Sequence, residues 1–232
     1  MIWESSYWKT DLLKQVAALK KRVTQKRWTE ASLAKCEQNL MMGFYSVRKL
    51  IESLKLTDIV ADSSYQIRSY PPTGKRVTLL NNHKIDELYD LGAPRKETIK
   101  LKDLCNQFIH SYVFAPVVEG GGLSAIWLAS DRQRSKALIE VTLATVIEVF
   151  DVVGNDEVDS ARYTFNPKKG DYRTENRVEP SLVADEKAAI LRAVSTAEIS
   201  IARGEGRAVT QKSMRQLAGE VKRRGRSRLA RR

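Results

Sequence analysis

A chain of 232 residues, 42% of them hydrophobic, can bury the core of one large or two modest domains, and this composition excludes bulk disorder. Its two cysteines, Cys36 and Cys105, each sit in an apolar helical pattern, which excludes a Cys-rich metal site and predicts reduced core thiols in a cytoplasmic setting. The formal net charge of +12 is concentrated in residues 203–232, where eleven Lys/Arg face only Glu205 and Glu220, a density suited to phosphate backbones or to the acidic face of a protein.

The first helix starts with Ser6 or Thr10 as its cap and runs through Leu12, Leu13, Val16, Leu19 and Val23 to a basic cluster, Lys20, Lys21, Arg22, Lys26 and Arg27. Thr29 caps the second. There Leu33, Cys36, Leu40, Phe44, Val47, Ile51 and Leu54 recur at steps of three or four, one stripe of the kind that packs in a bundle, and Met41, Met42 and Tyr45 widen it. Residues 63–70 and 75–80 flank the turn Pro71-Pro72-Thr73-Gly74 and predict a hairpin or an extended connection. A short helix over 83–91 stops at Gly92 and Pro94. Another, over 97–112, places Leu101, Leu104, Cys105, Phe108, Ile109 and Tyr112 on one side.

Gly120-Gly121-Gly122 reads as a plain tight turn, because neither a Gly-Lys-Ser/Thr nor a G-x-G-x-x-G frame accompanies it. A β-hairpin follows, from residues 123–130, a turn at Ser130-Asp131-Arg132 and residues 136–143, and then a helix over 142–153. The apolar stretches 123–129 and 141–153 are too short or too charged to span a membrane, and residues 1–10 lack the layout of a secretory signal.

The expected fold class is α+β, mostly helical. Residues 1–153 form a helical body with one β-hairpin, 154–184 a polar linker, and 185–232 a basic helix-break-helix arm. In the arm, Ile190, Val194, Ala197 and Ile201 line one helix, Gly204-Glu205-Gly206 is the break, and Met214, Leu217 and Val221 line the second. Neither stripe can be buried within so short an element. Each needs the body, a second copy of the chain, or a partner.

The chemistry-bearing constellation is Cys105-Asn106-Gln107-Phe108-Ile109-His110. Asn106 and His110, four residues apart, share a helix face. The stretch resembles HEPN domains, helical proteins many of which are ribonucleases and which carry Arg-Asn-x-x-x-His on a core-lining helix. Asn106 and His110 match that motif, and Cys105 stands where the family has its Arg. The resemblance implies an RNA-binding or RNA-cleaving domain over about residues 33–114. A thiol, however, supplies no fixed positive charge and no bidentate fork to phosphoryl oxygens, so catalysis is not expected. The plainer use of the pair is a satisfied histidine and a local hydrogen-bond partner. His83 and Glu87 share a helix face as well, but two ligands do not make a metal site, and no Gly-x-Ser-x-Gly elbow marks a nucleophile. No cofactor or metal is expected.

The segment from Ala188 to Arg232, and best its stretches Ile201-Ala202-Arg203-Gly204-Glu205-Gly206-Arg207 and Gln211 to Arg226, resembles the toxin-binding half of ParD-type bacterial antitoxins, in which a helix, a glycine-rich break and a basic helix wrap a toxin. The DNA-binding ribbon of that family has no counterpart before Asp185. The resemblance implies a non-enzymatic binding or regulatory protein with a protein partner, such as a toxin, docked on Met214, Leu217 and Val221 with Arg215, Lys222, Arg223, Arg224 and Arg226 around them. The alternative is the HEPN-like reading with Asn106 and His110, in which the basic arm holds nucleic acid.

Overall fold

The structure, a computed structural model, describes residues 2–168 and 170–177. The arm residues named above lie outside the described residues. Helix α1 (Ser5–Arg22) is capped by Glu4, whose carboxylate accepts from the Ser6 amide at 2.9 Å, rather than by Ser6 or Thr10. It buries Leu12, Val16 and Leu19. Helix α2 (Glu30–Glu52) begins, as expected, at Thr29, with a capping box in which the Thr29 and Ser32 side chains each accept from the other's backbone amide. Its stripe buries Cys36, Leu40, Phe44 and Val47, while Leu50 replaces Leu54 as the last core position. Leu54 is exposed because it has left the helix: at φ 56° it is the left-handed residue of a Schellman motif, with Lys55 N–H bonded to Leu50 O and Leu54 N–H to Ile51 O. Met41 packs on the core, whereas Met42 and Tyr45 are exposed.

The mostly helical expectation is corrected by a five-stranded antiparallel sheet in the order β2-β1-β5-β4-β3, built from β1 (Ser64–Tyr70), β2 (Arg95–Lys100), β3 (Ser111–Glu119), β4 (Gly122–Ser130) and β5 (Leu138–Thr142). β1 forms where a strand was expected, but its neighbours are β2 and β5. Pro71 and Pro72 have no N–H for the ladder, and the chain beyond them turns to residues 88–90, with Thr73 N–H on Leu88 O and Asp90 N–H on Pro71 O, each at 2.9 Å. The helix expected over 97–112 is three elements: the end of β2, helix α5 (Leu101–Ile109) and the start of β3. Its apolar residues 101, 104, 105 and 108 do follow a helical period. On either side, the pairings Tyr65 with Ile99 and Phe114 with Leu128 take the chain into the sheet.

The β4–β5 hairpin and helix α6 (Leu143–Asn155), capped by Thr142, form as expected. So does the glycine turn, with Gly120 and Gly121 at φ 59° and 91° between β3 and β4. That turn docks on the α1–α2 connection. Trp28 Nε1 donates to Gly121 O at 2.8 Å, and a Cβ on Gly122 would lie 1.8 Å from Val23 O.

Helices α1, α2, α5 and α6 cover one sheet face and share a core with Tyr65, Ile67, Ile126, Leu128, Ile139 and Val141. Against the other face, the segment 71–94, with the short helix α4 (Ile85–Leu88), buries a second cluster of Tyr70, Leu88, Tyr89, Val113, Ala129 and Leu138. Both sheet edges are blunted. β2 carries Arg95, Lys96, Glu97 and Lys100, and β3 carries Pro116 and two register shifts.

Residues expected as linker contain a second sheet, the ribbon of β6 (Ser160–Asn166) and β7 (Asp171–Arg177). Two buried side chains tie this segment to the body. Asp156 accepts from Thr57 N–H at 2.8 Å and Thr57 Oγ1 at 2.7 Å, and Asn176 Nδ2 donates to the carbonyls of Leu54 and Leu56 at 2.9 Å, just beyond the end of α2. The short helix α3 (Asp58–Ala61) completes the junction, with Asp58 accepting from Asn176 N–H. A truncation ending after Val178 is therefore expected to melt cooperatively. One ending at Gly154 loses both anchors and about 3 kcal/mol, since each leaves buried polar groups unpaired. Urea unfolding followed by circular dichroism checks this, and equal midpoints for the two truncations would contradict it.

Candidate functional site

The stretch singled out by its Asn106–His110 spacing folds as α5, with Leu101, Leu104, Cys105 and Phe108 buried and Asp103, Asn106, Gln107 and His110 turned away from the core. His110 is the C-cap, its N–H bonded to Asn106 O at 3.1 Å, and it is exposed. The end of α5 is locked to the β4–β5 turn. Gln107 Oε1 accepts from Ser130 N–H at 3.0 Å, and Asp131 N–H donates to His110 O at 3.1 Å.

Together these elements enclose an open cleft of about 500 Å³. Asp103, Asn106 and His110 form one wall, and Asp131, Arg132 and Lys136 the other. Behind it, Arg134 is doubly engaged, paired with Asp131 at 3.2 Å and stacked 3.8 Å over the Tyr112 ring. Tyr89 fixes the same turn by donating from its hydroxyl to Arg134 O at 2.8 Å, and burial raises that phenol to about 12.

Asn106 and His110 thus line one cleft, as their spacing predicts, and His110 faces solvent rather than core. Asn106 is committed elsewhere: its Oδ1 accepts from Arg48 Nη1 at 2.7 Å, and Arg48 Nε is held by Glu52 at 2.8 Å. A guanidinium does stand beside Asn106, then, but it comes from α2 and is neutralised by its own helix. Cys105, at the position of the family's Arg, lies fully inside the core. Burial pushes its thiol up to about 12, against a smaller opposing pull from Arg48, so it stays neutral and does not act as a cation or a nucleophile.

Arg48, Arg132 and Lys136 were not legible as site residues. Arg48 is 58 positions from Asn106, and no spacing rule connects them. His83 is exposed, and its neighbour Glu87 is taken by Lys75 and Lys84 at 3.4 and 3.3 Å. Among the described residues no group of three or more His, Cys, Asp or Glu is placed to hold a metal ion, and no helix is long and apolar enough to cross a membrane. Cys36 and Cys105 are both buried free thiols. No family model, curated protein or solved structure matches this chain, so its function is argued from its own residues.

Proposed function

We propose that the protein is a non-enzymatic nucleic-acid-binding protein, regulatory rather than catalytic. The observation that carries this reading is a clustering of exposed cations. Lys20, Lys21, Lys26 and Arg27, gathered at the α1–α2 connection, are exposed and form no ion pair with a described residue, and residues 203–232 add a surplus of nine positive charges. Such clusters gain affinity for a polyphosphate by releasing its counterions. The non-catalytic reading rests on chemistry at α5: Asn106 is occupied by Arg48, Cys105 is a buried neutral thiol, and the His110 side chain makes no hydrogen bond with a described residue. Purified protein is expected to leave RNA intact. Cleavage abolished by His110→Ala would overturn this part of the proposal.

A second reading keeps the protein partner that the antitoxin resemblance implies. It is favoured by the spacing of Met214, Leu217 and Val221 at i, i+3 and i+7, the pattern of a helix laid in a groove. One set of titrations separates the two. If nucleic acid is the ligand and about six cations engage a single strand, affinity falls about 300-fold between about 50 and about 200 mM salt. Deleting residues 206–232 should then flatten that slope, and Leu217→Asp should leave binding unchanged. A shallow slope, together with a loss of partner binding on Leu217→Asp that exceeds the loss on Arg223→Ala, would favour the groove instead.

A further inference from the structure

We propose that the β6–β7 ribbon is a stacking platform that grips the unpaired bases of a single-stranded nucleic acid. The inference rests on the nucleic-acid reading and specifies which form of the ligand is held, and where.

The register separates the ribbon into two chemically distinct faces. Tyr163 is paired with Thr174 and Phe165 with Tyr172, which sets all three aromatic rings on one face. The other face takes Arg162, Thr164, Arg173, Glu175 and Arg177. At its base the aromatic face is buried through Asn176, but farther out the rings are open to solvent: Tyr163, Phe165 and Tyr172 are 67%, 52% and 62% exposed. Phe165 and Tyr172 meet edge to face with centroids 5.3 Å apart, so their outer surfaces are held in place and uncovered. A two-stranded ribbon is marginal by itself in water, and three exposed rings on one face of it are a cost that a bound partner removes.

Charge decides which partner fits. Of the two carboxylates in β7, Glu175 is bridged to Arg177 at 3.0 Å, and Asp171 accepts from the Tyr172 amide at 2.7 Å. Arg162, Lys168 and Arg173 are exposed and make no ion pair with a described residue. Open aromatic rings on one face, with Arg162 and Arg173 on the reverse face and Lys168 in the turn of the same narrow ribbon, match a ligand that alternates flat rings with phosphates. A duplex hides its base faces within its own stack, whereas a single strand offers them.

The test uses the full-length protein and two fluorescein-labelled probes, oligodeoxythymidylate and a duplex of equal length, read by anisotropy. Tyr163→Ala, Phe165→Ala and Tyr172→Ala combined should weaken binding to the single strand at least about tenfold, the loss of one or two stacked bases, and leave duplex binding unchanged. Tyr163→Phe with Tyr172→Phe, which keeps the rings, should retain wild-type affinity. Because the three side chains are exposed, the variant's circular dichroism spectrum should match that of the parent. Unchanged single-strand affinity in the alanine variant would overturn the stacking platform while leaving nucleic-acid binding standing, and failure of the parent to bind either probe would overturn both. A parent that sediments as a dimer, which the alanine variant dissolves, would show the aromatic face to be covered by a second copy and would also overturn the proposal.

Discussion

Replacing Phe44 with alanine is expected to lower the unfolding free energy by about 4 kcal/mol, the upper part of the range for removing a buried ring. Phe44 is fully buried where three helices meet. Its ring stacks on Phe108 of α5 at 3.8 Å and 12° and meets Phe150 of α6 edge-on at 5.0 Å. The truncation would strip contacts from both neighbours at once. Nor can Phe150 close the gap freely: it already lies so near α2 that a Cβ on Gly43 would sit 2.2 Å from its Cζ. Phe44→Leu keeps most of the volume and should cost about 1.5 kcal/mol. Urea unfolding of both variants, with the denaturant slope unchanged, checks this. A loss below about 2 kcal/mol for the alanine variant would mean that the three-helix contact contributes less to the core than its burial indicates.

The second large effect lies on the other sheet face. Glu140 of β5 is buried, yet it carries a carboxylate whose Oε2 accepts from Tyr70 Oη at 2.7 Å and Trp127 Nε1 at 2.8 Å, while Oε1 meets Arg68 Nη1 at 3.0 Å. Burial, and then the bond to Glu140, raise the Tyr70 phenol above its ordinary value, so it remains a donor through the neutral range. Glu140→Ala leaves two donors facing a hole. At about 1 to 3 kcal/mol for each unsatisfied buried group, the expected loss is about 3 kcal/mol. Arg68 adds little to that figure, because its side chain is 56% exposed and water replaces the lost partner. Glu140→Gln, which keeps an acceptor for Tyr70 and Trp127, should cost about 1 kcal/mol. The emission of Trp127 gives a local readout alongside the denaturation curve, and equal stability of the alanine and parent proteins would show that water replaces the carboxylate fully.

The elements legible in the sequence are those whose cause is local. Thr29 and Ser32 cap α2 within one turn, the spacing of Cys36, Leu40, Phe44 and Val47 marks its buried face, and the β4–β5 hairpin and α6 follow from neighbouring residues. β6 and β7 were legible in principle as well. Arg162-Tyr163-Thr164-Phe165 and Asp171-Tyr172-Arg173-Thr174 alternate at a strand's period of two, but their polarity reads as a linker when composition is weighed ahead of period.

What the chain by itself determined is therefore the Thr29 cap, its α2 stripe, its buried thiols, its glycine turn and the helical neighbourhood of Asn106 and His110, since each of these depends on residues a few positions apart. Only the tertiary structure decided that β1 lies between β2 and β5, that residues 111–119 form an edge strand, and that Arg48 takes Asn106 while Glu140 gathers Tyr70, Trp127 and Arg68. Those partners are brought together by strand pairing and helix packing across long stretches of chain. A periodicity shows which face of an element is buried, but not which element it is buried against.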